Sequence, residues 1–195
     1  METDLRKYVA NYENFLDQDY CKETVKDLKK AEWSTHQFYQ AGSNDYISYD
    51  NELSVSWSNI KQRKEIQDKL HSGLQRYIDE LQYMTKVGPK VYEWFGGWNG
   101  YSELRFNKYD ETTQMKLHCD HIHSMFDGNR KGIPVLSILG VLNDDYEGGE
   151  LIMWDQEKIE LKGGSLLIFP SNFMYPHEVK PVTKGSRFSY VSWTW

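Results

Sequence analysis

Three side chains far apart in the chain offer the first chemistry in this sequence: His118, Asp120 and His177. His118 and Asp120 stand at alternate positions of His-Cys-Asp. Alternate positions of a β-strand share a face, so the two can grip one metal ion while Cys119 points the other way. A lone His-x-Asp triplet arises by chance in a chain with six histidines and carries little by itself. The pattern gains weight from Tyr175-Pro-His177-Glu-Val, which follows four further strand-like runs. A chain that folds back on itself as a jelly roll brings His177 beside the first pair. Two imidazoles and one carboxylate, held on one face of an octahedron with three corners open, are the donor set of non-haem iron(II) sites that activate dioxygen; zinc favours a closed tetrahedron. The open corners matter because an organic acid and dioxygen must both reach the metal.

A keto acid that chelates iron needs a counter-charge for its far carboxylate. Arg187 lies ten residues beyond His177, and strand parity puts Arg187, Ser189, Val191 and Trp193 on one face, with Phe188, Tyr190 and Ser192 on the other. A guanidinium on a barrel wall binds a carboxylate bidentately, and left unpaired there it is costly. Tyr109, nine residues before His118, shares its strand face with Arg105 and Asn107 and can add a phenolic hydrogen bond to the same ligand. Trp193 reads two ways, as core filling or as a wall of the substrate pocket.

The remaining polar residues have plainer readings. His121 and His123 share the face opposite His118 and are the alternative metal donors, or else stand at the mouth of the site. His36 and His71 lack a partner pattern and read as surface or satisfied histidines; Cys119 reads as a packed thiol. The cluster from Trp94 to Trp98 is either a substrate platform or a packed loop, and Ser124–Gly132 is either a lid or a surface turn.

These residues need a scaffold, and 195 residues supply one domain with a core. A chain of this length buries roughly 70% of its unfolded surface, and 39% hydrophobic residues with 7 Trp, 14 Tyr and 8 Phe provide the material. A net charge of −6 disfavours the broad basic footprint of a nucleic-acid partner. The longest apolar runs, Val135–Leu142 and Leu166–Phe169, fall far short of the ~20 residues of a membrane span. The opening Met1-Glu-Thr-Asp-Leu-Arg carries no signal-peptide pattern, so a cytoplasmic protein with Cys21 and Cys119 reduced is expected.

The first third reads as helical after a short strand. Asp19 is expected to cap a helix to about Lys30. From Ser58 to about Met84, Ile66, Leu70, Leu74, Tyr77, Ile78, Leu81 and Met84 recur at helical spacing, an amphipathic support that Val87-Gly-Pro ends. Beyond Gly88 the pattern turns to short strands: Leu104–Tyr109, Met115–Asp120, Val135–Leu142, Glu150–Trp154, Lys158–Leu161, Ser165–Phe169 and Ser186–Trp195. The expected architecture is mainly β, an antiparallel sandwich or barrel with the helices packed on one sheet, in one domain: helical support over 1–88 and a β core over 89–195.

His118-x-Asp120, His177 and Arg187 resemble the signature of the Fe(II)/2-oxoglutarate-dependent dioxygenases, and the surroundings resemble the prolyl 4-hydroxylase branch. The likeness runs through Asn14-Phe-Leu-Asp-Gln-Asp-Tyr-Cys21, Tyr109, Leu142-Asn143-Asp144, Glu147-Gly-Gly-Glu150-Leu151, Gly164-Ser-Leu-Leu-Ile-Phe-Pro170 and Trp193. The run Lys131-Gly-Ile-Pro-Val-Leu-Ser-Ile-Leu is similar to phage-encoded members, which implies a host cytoplasm as the setting. The resemblance implies a double-stranded β-helix, and Fe(II), 2-oxoglutarate and dioxygen as cofactor and cosubstrates, with ascorbate as an accessory reductant. Its implied ligands are His118, Asp120 and His177 for the metal, Tyr109 and Arg187 for 2-oxoglutarate and Trp193 for substrate. The implied reaction hydroxylates a C–H bond, a proline in a protein or peptide, with succinate and CO2 as co-products.

The chain departs from that branch at Met115, where many members carry a second tyrosine, at Val141, often aromatic, and at Pro134, often arginine. These changes fall in the cosubstrate and substrate pockets, so they bear on the prolyl substrate more than on the metal. The alternative from another class is a jelly-roll module that binds a metal or sugar without oxidising anything. A nucleic-acid demethylase of the same superfamily ranks lower: Trp193 stands where such enzymes usually carry a second arginine.

Overall fold

The computed structural model of the chain describes residues 4–40, 45–85, 95, 97–120, 134–154 and 156–195. A 3-10 turn at Leu5–Tyr8 leads to β1 (Ala10–Tyr12) and α1 (Gln18–Leu28). Four short strands follow, β2 (Ser34–Thr35), β3 (Phe38–Gln40), β4 (Asp45–Ile47) and β5 (Ser54–Ser56), and then α2 (Lys61–Thr85). The remainder is strand after strand: β6 (Arg105–Tyr109), β7 (Met115–His118), β8 (Leu136–Val141), β9 (Tyr146–Gly148), β10 (Leu151–Met153), β11 (Glu157–Ile159), β12 (Leu166–Pro170), β13 (His177–Val179), β14 (Val182–Gly185) and β15 (Arg187–Thr194).

Pairing is antiparallel between the strands. The major sheet runs β1-β12-β8-β15-β6-β5-β2 and the minor sheet β11-β10-β13-β7, with two-stranded ribbons β14-β9 and β3-β4 beside them. Two sheets built from strands so far apart in sequence are the jelly-roll arrangement. No described helix is long and apolar enough to cross a membrane.

Period-2 alternation in the central strands explains how one sheet serves two cores. On β8, Leu136 and Ile138 face one way and Leu139 and Val141 the other; on β12, Leu166 and Ile168 oppose Leu167 and Phe169. The first set packs against Val25, Leu28, Ile66, Leu70, Leu74 and Ile78 of the helices. The second meets Met115, Leu151, Met153 and Val179 of the minor sheet. Gly140 is required between them, because a Cβ there would lie 2.0 Å from the ring of Tyr190, its cross-strand partner.

Three local expectations are corrected. The cap of α1 is Asp17, whose Oδ1 accepts hydrogen bonds from the amides of Asp19 (2.8 Å) and Tyr20 (3.2 Å); Asp19 is already inside the helix. The first third is not helical throughout. Strands such as Ser34–Thr35 and Ser54–Ser56 are too short and polar to show alternation, and they exist because β6 offers β5 an open edge. β9, β13 and β14 are likewise strands outside the expected runs; each spans only three or four residues. The segments Val87-Gly-Pro and Ser124–Gly132, together with His121, His123 and Trp94, lie outside the described residues.

Candidate active site

The register of β13 against β7 sets His177 directly opposite His118. Their rings stand 4.4 Å apart between centroids. Each Nδ1 faces a backbone carbonyl, Lys116 O at 2.8 Å and Tyr175 O at 3.1 Å. A carbonyl only accepts, so both Nδ1 atoms carry the proton and both Nε2 atoms keep a lone pair in the neutral ring. Those Nε2 atoms point to the same Asp120 Oδ1, at 3.4 Å from His118 and 3.8 Å from His177. Asp120 lies just past the end of β7, yet it reaches the same side as His118, as alternation requires.

Asp120 is held in place by the opposite sheet. The Ser137 hydroxyl on β8 donates to its Oδ2 at 2.5 Å, and Ser171 Oγ donates to its backbone carbonyl at 3.3 Å. Burial works to raise the carboxyl pKa, but the neighbouring His177 and His118 and the Ser137 hydroxyl outweigh it and hold the group far below the usual carboxylate range. Burial pushes His177 down despite Asp120, whereas the Asp120 hydrogen bond overcomes burial and raises His118. An anion between two imidazoles, with all three donor atoms inside 4.8 Å, is a set that can hold a divalent ion. Its chemistry fits iron.

The three residues line a cavity of about 350 Å³ between the sheets, walled by Tyr109, Leu139, Phe169, Val179, Val191 and Trp193. Trp193 is therefore both buried and a wall, and its indole N–H is buried without a partner. Arg187 and Tyr109 are opposed across β15 and β6, with the guanidinium 5.1 Å from the phenol ring centroid. Arg187 is 1% exposed; among the described residues its hydrogen bond is to Ser189 Oγ at 3.3 Å, and its Nε has no partner there. It lines an adjoining hollow beside Gly149 and not the cavity at the histidines; Tyr109, on the main cavity, stands between the two. A buried guanidinium with no described carboxylate beside it fits an absent diacid.

Two residues of this region escaped the sequence reading. His36 is buried at the rim of the cavity, 3.5 Å from the equally buried Glu52, so the surface reading is corrected. Burial pushes the His36 imidazole down to about 3 and the Glu52 carboxyl upward, each toward its neutral form. No local signal could have found a contact made between loops 16 residues apart. Arg105 lines the cavity too, and its place on Tyr109's strand face was the available clue. His71 fits its plain reading, with Nδ1 at 3.1 Å from the Tyr101 hydroxyl. Cys119 is half-buried, its thiol donating to Phe173 O at 3.6 Å.

The family model of the 2OG-Fe(II) oxygenase superfamily matches residues 104–195, the segment that contains Tyr109, His118, Asp120, His177, Arg187 and Trp193. This segment belongs to the 2OG-Fe(II) oxygenases. The oxygenase is 25% identical over 191 residues to a PKHD-type hydroxylase of Idiomarina loihiensis, covering 95% of this chain and 76% of that one. A PKHD-type hydroxylase of Shewanella oneidensis is 40% identical over 93 residues, 45% of this chain and 40% of its own length, so these stronger local matches span well under half of the relatives concerned. Among solved structures, a prolyl hydroxylase from Trichoplax adhaerens in complex with a hypoxia inducible factor peptide fragment superposes with a TM-score of 0.67 at 21% identity, covering 97% of this chain and 84% of that one. That likeness is one of fold. The oxygenase accordingly uses Fe(II), 2-oxoglutarate and dioxygen. The non-catalytic jelly-roll module gives way to an enzyme.

Proposed function

We propose that this oxygenase hydroxylates a prolyl residue in a protein or peptide, with His118, Asp120 and His177 as the iron ligands and with succinate and CO2 as co-products. The observation that carries the reading is the pairing of His118 with His177 over Asp120, at the wall of a cavity large enough for a diacid and a small ring. When bound, iron and 2-oxoglutarate supply oxidising chemistry that couples decarboxylation of the keto acid to insertion of oxygen into a C–H bond.

The chain's own residues do the rest. The carbonyls of Lys116 and Tyr175 fix the tautomer of each imidazole, so that both Nε2 lone pairs face the metal position. Ser137 orients Asp120. Arg187 and Tyr109 receive the far carboxylate of 2-oxoglutarate, which relieves the unpaired guanidinium. Leu139, Phe169, Val179 and Val191 keep water from the reacting atoms, and Trp193 forms the wall against which the substrate lies. The fold shared with prolyl hydroxylases and the aromatic residues Phe38, Tyr46 and Trp57 of the cavity lining support a prolyl substrate. Two unpaired thiols, Cys21 and Cys119, support action in the cytoplasm.

The test is mass spectrometry of proline-containing peptides incubated with enzyme, Fe(II) and 2-oxoglutarate. A gain of one oxygen on proline, coupled to succinate and lost in His177→Ala, is expected. Oxidation on another residue type would replace the prolyl substrate while leaving the metal site intact.

A further inference from the structure

The cavity contains a cation outside the residues proposed above for the metal and the cosubstrate. Arg105 is the one arginine or lysine among the described residues lining the main cavity. Its guanidinium lies over the Trp193 ring at 5.2 Å, and its Nε donates to Asn107 Oδ1 at 3.0 Å. Those two contacts fix where the head points, and among the described residues no anion meets its terminal nitrogens. No described carboxylate forms an ion pair with it: the carboxylate whose charge acts on it is Asp120, which is committed to the two imidazoles. Glu52 stands 3.5 Å from His36 and does not line the cavity.

Register separates Arg105 from the cosubstrate end. Arg105 pairs with Val191, and Tyr109 pairs with Arg187, four residues along the same two strands. At about 3.4 Å per residue the two backbone positions lie roughly 14 Å apart, and Arg187 opens on the hollow beside Gly149 while Arg105 opens on the main cavity. With 2-oxoglutarate held by Arg187 and Tyr109, Arg105 faces whatever enters from the mouth. The mouth is aromatic, with Phe38, Tyr46 and Trp57 at the rim and the latter two half-exposed. A desolvated guanidinium beside aromatic walls favours an apolar ring that carries an anion next to it.

We propose that Arg105 binds a carboxylate of the substrate, so that the hydroxylated residue lies beside an acidic group. This rests on the prolyl-peptide reading above and narrows it. The carboxylate comes either from a flanking Asp or Glu side chain or from a chain terminus.

The experiment uses the full chain with Fe(II), 2-oxoglutarate and a pool of acetylated, amidated peptides in which proline is flanked by randomised residues, and in parallel the same pool with free C-termini. Products are located by mass, and 2-oxoglutarate KM is measured alongside. Wild type is expected to enrich Asp or Glu at a fixed flank about tenfold or more, as a desolvated charge pair predicts. In Arg105→Gln that preference disappears while neutral peptides and the 2-oxoglutarate KM change about twofold or less, and Arg105→Lys restores part of it. Enrichment only in the free-acid pool assigns the carboxylate to the terminus. Hydroxylated prolines without acidic preference, a preference that survives Arg105→Gln, or a rise in 2-oxoglutarate KM in that variant would overturn the role of Arg105 and leave prolyl hydroxylation standing. Succinate formation with no oxidised proline in either pool would instead overturn the prolyl reading itself, and this proposal with it.

Discussion

His118 and His177 are cross-strand partners, facing each other from β7 and β13 with Asp120 Oδ1 within 3.8 Å of both Nε2 atoms. A 59-residue separation in sequence becomes one rung of a ladder. Three protein donors on a single rung leave the opposite side of a bound ion free for small molecules, which a donor set surrounding the ion would not.

Replacing Asp120 tests this rung. Asp120→Ala removes the anion shared by the two imidazoles. Anaerobic Fe(II) titration, followed through the weak visible band formed with 2-oxoglutarate, should show metal affinity reduced by at least ~100-fold, with succinate formation abolished. Unchanged affinity would move the metal elsewhere.

Ser137→Ala leaves the donors in place but frees the carboxylate it orients. An outer hydrogen bond of this kind is worth about 10–100-fold in metal affinity. The same titration should therefore fall between wild type and Asp120→Ala, with the melting temperature little altered.

Arg187 carries opposite consequences for folding and for binding. Its guanidinium is buried with an unpartnered Nε and no described carboxylate beside it, a cost to the ligand-free protein. Arg187→Met should hold or raise the melting temperature of the ligand-free protein. The same change should weaken 2-oxoglutarate binding by at least ~100-fold, so that added 2-oxoglutarate no longer stabilises the protein. Thermal scans with and without the keto acid read both effects.

Gly140→Ala should destabilise without touching the chemistry. The added Cβ would press on the Tyr190 ring at 2.0 Å. Overpacking of this kind costs about 1–3 kcal/mol. In a chain of this size each kcal/mol lowers the melting temperature by about 2–4 °C, which calorimetry resolves.

Cys21 supplies a pH test. Burial pushes its thiol up to about 11, aided by the charges of Asp17 and Asp144. The native thiol keeps its proton where the unfolded one, near its ordinary value of 9.0, loses it. Its contribution to stability is thus full below pH 9 and is lost as pH rises toward 11. Iodoacetamide at pH 8 should modify Cys21 at least ~10-fold faster in urea than in the native protein.

What the sequence revealed and what it hid follow from the range of the interactions. Strand parity on β15 separated Val191 and Trp193 from Phe188 and Tyr190, and the two sets do belong to different cores. Helical spacing located α2 because Ile66, Leu70, Leu74 and Ile78 all face one sheet. The β2 to β5 region gave no such pattern, since Ser34–Thr35 and Ser54–Ser56 are too short to show alternation: they are placed by backbone pairing, and Val55 is their one side chain in an apolar core. His36 was hidden for the same reason: its burial depends on Glu52 and Phe38, which local pattern does not connect. The cap at Asp17 was missed because Asp17 and Asp19 are equally good candidates by residue type, and only the backbone turn chooses between them.

Alternation along β15 has one more outcome. Phe188 and Tyr190 anchor the sheet to its helices, while Val191 and Trp193, one step along the strand, look into the chamber where a substrate would lie. Scaffold and selectivity are thus written in interleaved letters on the same ribbon. A lineage could exchange the letters that choose a guest and keep every letter that holds the house upright, so new preferences can arise here without the collapse that usually accompanies remodelling of a protein interior.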